Sequence, residues 1–222
     1  MVSVLLTALL LLAAILEVDC AFVVNGFCPV SRTRALSSTN DQDLQTRQFL
    51  PVVAKAEDIM HPKAHGTSHQ PVQKDLQWGM DAKEADRICN FNRRFAEYKG
   101  TATNLLNFLL RQQQEQSNET IVTKFHDSVT GNLLFTAPIG RSLDDFVEES
   151  KAHGWPSFRD AEVNWDFVRC LDGPQGECVS ITGTHLGHNL PDEKGNRYCI
   201  NLVSIAGRPV VDDDDEDEVY IY

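Results

Sequence analysis

Basic residues are scarce in this chain: 20 Lys and Arg stand against 32 Asp and Glu, for a net charge of -12. Phosphate binding needs clustered cations, so the composition argues against nucleic acid as a partner. No two of the six cysteines (Cys20, Cys28, Cys89, Cys170, Cys178 and Cys199) are spaced as Cys-x-x-Cys. That removes the usual signature of structural zinc, and so few cysteines in 222 residues do not make a disulfide scaffold. Long apolar runs are missing too. The stretch Val4–Ile15 is too short for a comfortable membrane span and has signal-peptide length, although no Lys or Arg precedes it.

The expected organisation follows from these features. Residues 1–20 read as a signal peptide, cleaved after Cys20 or Ala21, with an uncleaved anchor as the alternative. Phe22 to Asn40 contains Arg32, Arg34 and several Ser and Thr but no acidic residue, a transit-like composition. Residues 21–75 are therefore a transit-like or linker segment. Two destinations fit: the plastid of an alga whose complex plastid is reached through the secretory route, or secretion and the endomembrane lumen. The sequon Asn118-Glu119-Thr120 carries glycan only on the second. Seven consecutive acidic residues, Asp212 to Glu218, mark 208–222 as a solvated, disordered tail.

Between these ends the pattern changes from helix to strand. His61, His65 and His69 recur every fourth residue, but Pro62 and Gly66 interrupt a helix there, so a polar loop is expected. Residues 76–117 form a helical lead-in. Asp81 and Glu84 resemble a capping box, followed by Ala85, Ile88, Phe91 and Phe95 on one helical face, with Gly100 as terminator. A second helix is predicted over Asn104 to Gln114. Residues 118–207 read as strands: Thr120 to Phe125 with Leu133 to Ala137, then Trp165 to Leu171 with Cys178 to Thr182, and finally Tyr198 to Ile205. A short helix, Ser142 to Ala152, precedes Gly154. The fold class is mainly β (α+β), antiparallel sheets preceded by helices, and a monomer is expected.

Three strings carry chemistry: Gly154-Trp155-Pro156-Ser157-Phe158, His185-Leu186-Gly187-His188 and Arg197-Tyr198-Cys199-Ile200-Asn201. Reducing a sulfoxide needs a soft nucleophile for sulfur and a proton source for the oxygen, which a cysteine beside imidazoles supplies. A free thiol of pKa about 8.5 is mostly protonated at neutral pH. Arg197 and Asn201 share a strand face with Cys199, so the guanidinium can stabilise a thiolate and the amide can orient the site. His185 and His188, expected in a tight turn or loop, can protonate the oxygen, and Trp155 offers an apolar wall.

In this order, with Asp192 four residues beyond His188, the strings resemble the signature of type B methionine sulfoxide reductases over roughly Thr120 to Ala206. Trp78-Gly79, Ile88 to Arg94, Ala96-Glu97 and Gly100 are similar to the helical lead-in of some members. The resemblance implies antiparallel sheets of that type and a Cys199 nucleophile that becomes a sulfenic acid. It implies a polar network of His185, His188 and Asn201, with Arg197 and Asp192 as supports and Trp155 and Phe158 at the substrate. Expected substrates are proteins carrying methionine R-sulfoxide. The expected reductant is an external thiol such as thioredoxin.

The chain departs from the family pattern where the structural zinc is held. Asp127, Thr130, Val179 and Thr182 fall at or near the metal-binding cysteines, so no zinc or other cofactor is expected and the hairpins should rely on packing alone. His153 stands at a common position of the resolving thiol. Cys170 and Cys178 could pair with each other, resolve Cys199, or be buried strand thiols. Two other readings remain: an inactive binding module, or a small metal site of His185, His188, Asp192 and Cys199.

Overall fold

The computed structural model describes residues 51–116, 120–172 and 176–210. The expected signal peptide, residues 21–50 of the transit-like segment, the Asn118 sequon and the acidic run lie outside the described residues. What is described is a mixed α/β unit with a six-stranded, mostly antiparallel sheet.

In chain order the strands are β1 (Val53–Ala54), β2 (Thr123–His126), β3 (Leu133–Ala137), β4 (Ser157–Phe158), β5 (Val168–Leu171), β6 (Glu177–Ser180), β7 (His185–Asn189) and β8 (Tyr198–Ile200). The helices are α1 (Ala56–Ile59), α2 (Ala82–Asp86), α3 (Thr103–Glu115) and α4 (Leu143–His153). The large sheet runs β1-β5-β6-β7-β8-β4, with β2 and β3 as a separate hairpin. Only β1 pairs parallel, on β5; the other strands of the large sheet pair antiparallel.

Residues 51–75 are not the linker that composition suggested. β1 extends the sheet, Met60 packs on Leu171 and Val179, and Val72 and Leu76 are buried beside Ile88 and Val203. Scattered polar residues hid these few apolar anchors. His65 bonds the Asp86 carboxylate at 2.9 Å, while His61 and His69 are exposed.

The expected helix over Phe95 stops early. α2 starts where Asp81 accepts the Glu84 N–H, 2.7 Å, and widens into a π turn at Arg87–Phe91 before Asn92 ends it. The widened turn breaks the 3.6-residue period, so Phe91 and Phe95 are exposed while Ile88 stays in the core. α4 forms where a short helix was expected before Gly154, which ends it at φ 94°, and a Ser142–Asp145 capping box closes its start. The last strand is shorter than expected: after Ile200 the chain turns at Leu202–Ser204.

Phe158 is a core residue and not a substrate contact. Its ring stacks on Phe135 (centroids 4.3 Å apart) and meets Phe125 edge-on at 5.1 Å, and it is fully buried. The chain alternates at β4, so the residue next to Ser157, which shares a face with Cys199, must point to the other face, into the core.

The hairpins are also held by more than packing. The buried Asp127 carboxylate accepts the Val129 N–H (2.9 Å), the Thr130 hydroxyl (3.0 Å) and, from the β6–β7 turn, the Thr184 hydroxyl (2.9 Å). Burial pushes its pKa up, with these bonds opposing. The bonds tie the β2–β3 hairpin to the β6–β7 hairpin. Asp127→Ala leaves the Val129 N–H and the Thr184 hydroxyl without this acceptor. Urea unfolding is expected to show a loss of roughly 2–5 kcal/mol; a change within about 0.5 kcal/mol, the size of an inert surface substitution, would contradict the brace.

Candidate active site

Sheet register assembles the site. Glu177 pairs with His188, His188 with Cys199, and Cys199 with Ser157, so one row crosses β6, β7, β8 and β4. Directly opposed residues share a face, and these cross-strand neighbours stand about 4.5–5.5 Å apart at Cβ. His185 joins them through a bulge. Val179 pairs with His185 while Cys178 pairs with Gly187, leaving Leu186 as the extra residue. The bulge lets two residues three apart serve one pocket. Their rings lie 5.6 Å apart. Sequence spacing had suggested a turn; both histidines are on a strand. Gly187 admits no side chain, because a Cβ there would run into the Cys199 carbonyl oxygen on β8.

A cavity of about 150 Å³ lies over this row. Trp155, His185, His188, Cys199 and Asn201 line it, with Phe95, Ala96 and Leu190 at its apolar rim. Five of the residues expected from sequence thus meet there. Arg197 and Asp192 do not line it, standing behind Cys199 as an ion pair at 3.3 Å. Asp192 also accepts Arg159 at 3.0 and 2.9 Å, and these partners hold its pKa down at about 2. Among the described residues no group of three or more His, Cys, Asp or Glu is placed to hold a metal ion.

Two carboxylates that sequence reading missed hold the reactive groups. Glu177 accepts His185 Nδ1 at 2.8 Å and Arg93 Nη2 at 2.6 Å. Burial acts against its charge most strongly, but these bonds and the charges of His185 and Arg93 keep its pKa below the ordinary value. An ionised carboxylate only accepts, so Nδ1 carries hydrogen and Nε2 is left to exchange a proton. Glu97 is buried and accepts the N–H groups of Leu202 (2.7 Å) and Val203 (3.0 Å). Its own N–H donates to Asn201 Oδ1 at 3.0 Å, and its carbonyl accepts Trp155 Nε1 at 3.2 Å. Asn201 Nδ2 in turn donates to the Leu186 carbonyl at 3.0 Å. One residue of the lead-in therefore fixes two walls of the pocket. No spacing links positions 97, 155 and 201, so no local signal reveals it.

The electrostatics correct one expectation. Burial pushes the Cys199 thiol up; the Arg197 charge and hydrogen bond oppose this, Glu97 adds to it, and the net direction is upward. The resting group is a protonated thiol. His188 is shifted the other way, mainly by burial and then by the neighbouring His185, which favours neutral imidazole.

Cys170 and Cys178 lie on the other face. Cys178 follows pocket-facing Glu177 on β6 and pairs with Cys170, and alternation turns both into the core with Ile200 and Tyr198. The sheet separates them from Cys199, so they are not placed to resolve it. Cys89 is buried against the Ser204 hydroxyl at 3.5 Å.

Burial, opposed by the two backbone bonds, brings Glu97 up to about 7, against about 4.3 in an unfolded chain. Between those values the folded state keeps a proton that the unfolded state has lost. Its contribution to stability is therefore fully present below about 4.3 and falls as pH rises to about 7. The stability difference between wild type and Glu97→Gln, measured by urea unfolding, is expected to shift against wild type across that window by more than about 1 kcal/mol. A difference independent of pH would contradict it. Comparison of the chain with models of protein families, with curated proteins and with solved structures finds no match.

Proposed function

We propose that this chain reduces methionine R-sulfoxide, mainly in proteins, with Cys199 as nucleophile, on a fold of the methionine sulfoxide reductase B type. The observation that carries the reading is the register His188–Cys199 with His185, Trp155 and Asn201 around one small cavity. The cavity suits a methyl group and a sulfoxide, and among the described residues that line it there is no Lys, Arg, Asp or Glu to bind a free amino acid's termini.

The chemistry follows from the protonated thiol. His188, opposite Cys199, takes the thiol proton as sulfur attacks the sulfoxide sulfur, and Arg197 stabilises the forming thiolate. The proton taken by His188 passes through Nε2 of the neighbouring His185, whose Nδ1–H is held by Glu177, to the sulfoxide oxygen. Oxygen then passes to Cys199: a thiol and a sulfoxide become a sulfenic acid and methionine, and no atom is left over. Trp155 holds the methyl group. Asp192 and Arg159 position Arg197. Because Cys170 and Cys178 face the core, an external thiol such as thioredoxin is the proposed reductant, reducing the sulfenic acid to thiol and water through a mixed disulfide. Entry into the secretory route, toward a complex plastid or an endomembrane lumen, belongs to the same proposal.

Separated R and S diastereomers of a dabsylated methionine sulfoxide, assayed with dithiothreitol, test the reading. The R form is expected to be reduced and the S form left unchanged. Cys199→Ser should abolish turnover, and His185→Ala or His188→Ala should slow it on the order of 10²–10⁴-fold. Equal inactivity of wild type and Cys199→Ser on the R form would overturn the proposal.

A further inference from the structure

Cys170 and Cys178 are directly opposed on β5 and β6, with sulfur atoms 3.7 Å apart. The Cys170 N–H donates to the Val52 carbonyl at 2.9 Å, just before β1. A strand residue points both its backbone polar groups to one side, so those of Cys170 face away from β6. The pair is therefore of the non-hydrogen-bonded kind, where Cα atoms stand about 4.5 Å apart and side chains come closest. That separation lies within the about 4.4–6.8 Å span of disulfides. Two thiols facing each other at such a position need only small side-chain rotations to bond.

We propose that Cys170 and Cys178 form a reversible cross-strand disulfide, a second redox centre on the face of the sheet opposite Cys199. The oxidant is a low-molecular-weight disulfide such as oxidised glutathione. The sulfur of Cys170, a residue that keeps slight exposure while Cys178 has none, attacks one sulfur of that disulfide as its proton leaves, and one glutathione departs as thiolate. The Cys178 sulfur, losing its proton to that thiolate, then attacks the Cys170 sulfur and releases the second glutathione. Two protein thiols are oxidised and one small disulfide is reduced to two thiols. The hydrogen bond between the two sulfurs favours loss of the Cys170 proton, the direction this order of attack needs.

The bond would staple the stem of the β5–β6 hairpin. That hairpin presents Glu177, the residue next to Cys178, to His185 and Arg93 on the opposite face. The centre is independent of the sulfoxide chemistry: it uses neither Cys199 nor the cavity.

Trypsin makes the test direct, because both cysteines fall in the single peptide 170–194 while Cys89 and Cys199 do not. The full chain is equilibrated in buffers of reduced and oxidised glutathione, unfolded in an alkylating agent, digested and weighed. As the buffer becomes oxidising, peptide 170–194 is expected to change from doubly alkylated to unlabelled and two hydrogens lighter, in a single two-electron transition. Cys199→Ser should leave that transition in place. Cys178→Ser should replace it with alkylated or glutathionylated Cys170. Two alkyl labels on the peptide at every ratio, including oxidised glutathione alone in sub-denaturing urea, would overturn the proposal. So would linkage of Cys170 or Cys178 to Cys199 or Cys89.

Discussion

A single buried carboxylate joins the helical lead-in to the turn after β8 and to the walls of the candidate pocket. Glu97 caps the turn after β8 through two backbone N–H groups, while its own main chain holds Asn201 and Trp155. The pocket owes its shape to this contact, since the side chains it fixes come from segments about 50 residues apart in sequence. Burying a carboxylate is costly unless donors converge on it. Two amides offset that cost only in part, which leaves a pKa of about 7 and a charge that acts on Cys199.

The pocket is a balance between that burial and its cations. Arg197 lies deep behind Cys199 and pulls the thiol toward ionisation, yet burial wins and the resting thiol keeps its proton. On the proposed function, nucleophilicity then comes from proton removal during attack. The register supplies the acceptor, a neutral His188 directly across the strand pair. Around it Arg159 joins Glu149 and Asp192, and Arg141 joins Glu149 and Glu162, a charge network that fixes α4, the start of β4 and the loop before β8 relative to one another. Networks of this kind, with charges bonded on several sides, hold geometry better than isolated surface pairs.

Much of this was legible from sequence because it is local. The short helix before Gly154, the hairpins, the helix over Asn104 to Gln114 and the meeting of Trp155, His185, His188, Cys199 and Asn201 all follow from motifs or periodicity. The parts not foreseen are long-range. β1 was missed because it adds only two residues to a sheet edge, too few to show a period. The histidines were placed in a turn because a bulge, which resets the alternation of a strand, has no reliable signature beyond a glycine. Phe158 was expected at the substrate because it belongs to the motif that carries the resemblance, and only the pairing of β4 with β8 shows which way it points. Glu97, Glu177 and Asp127 each act between segments distant in sequence, where no spacing rule operates. The arginine that can stabilise a thiolate was visible in the sequence; the burial that outweighs it was not.

The central claim is that Cys199 itself takes the oxygen from the sulfoxide. Single-turnover reaction of the full chain with methionine R-sulfoxide, without reductant and with dimedone present, measures this by peptide mass spectrometry alongside the methionine released. The account predicts one dimedone adduct, on Cys199, for each methionine formed. Methionine released without an adduct on Cys199, or an adduct on Cys89, Cys170 or Cys178 in its place, would contradict it.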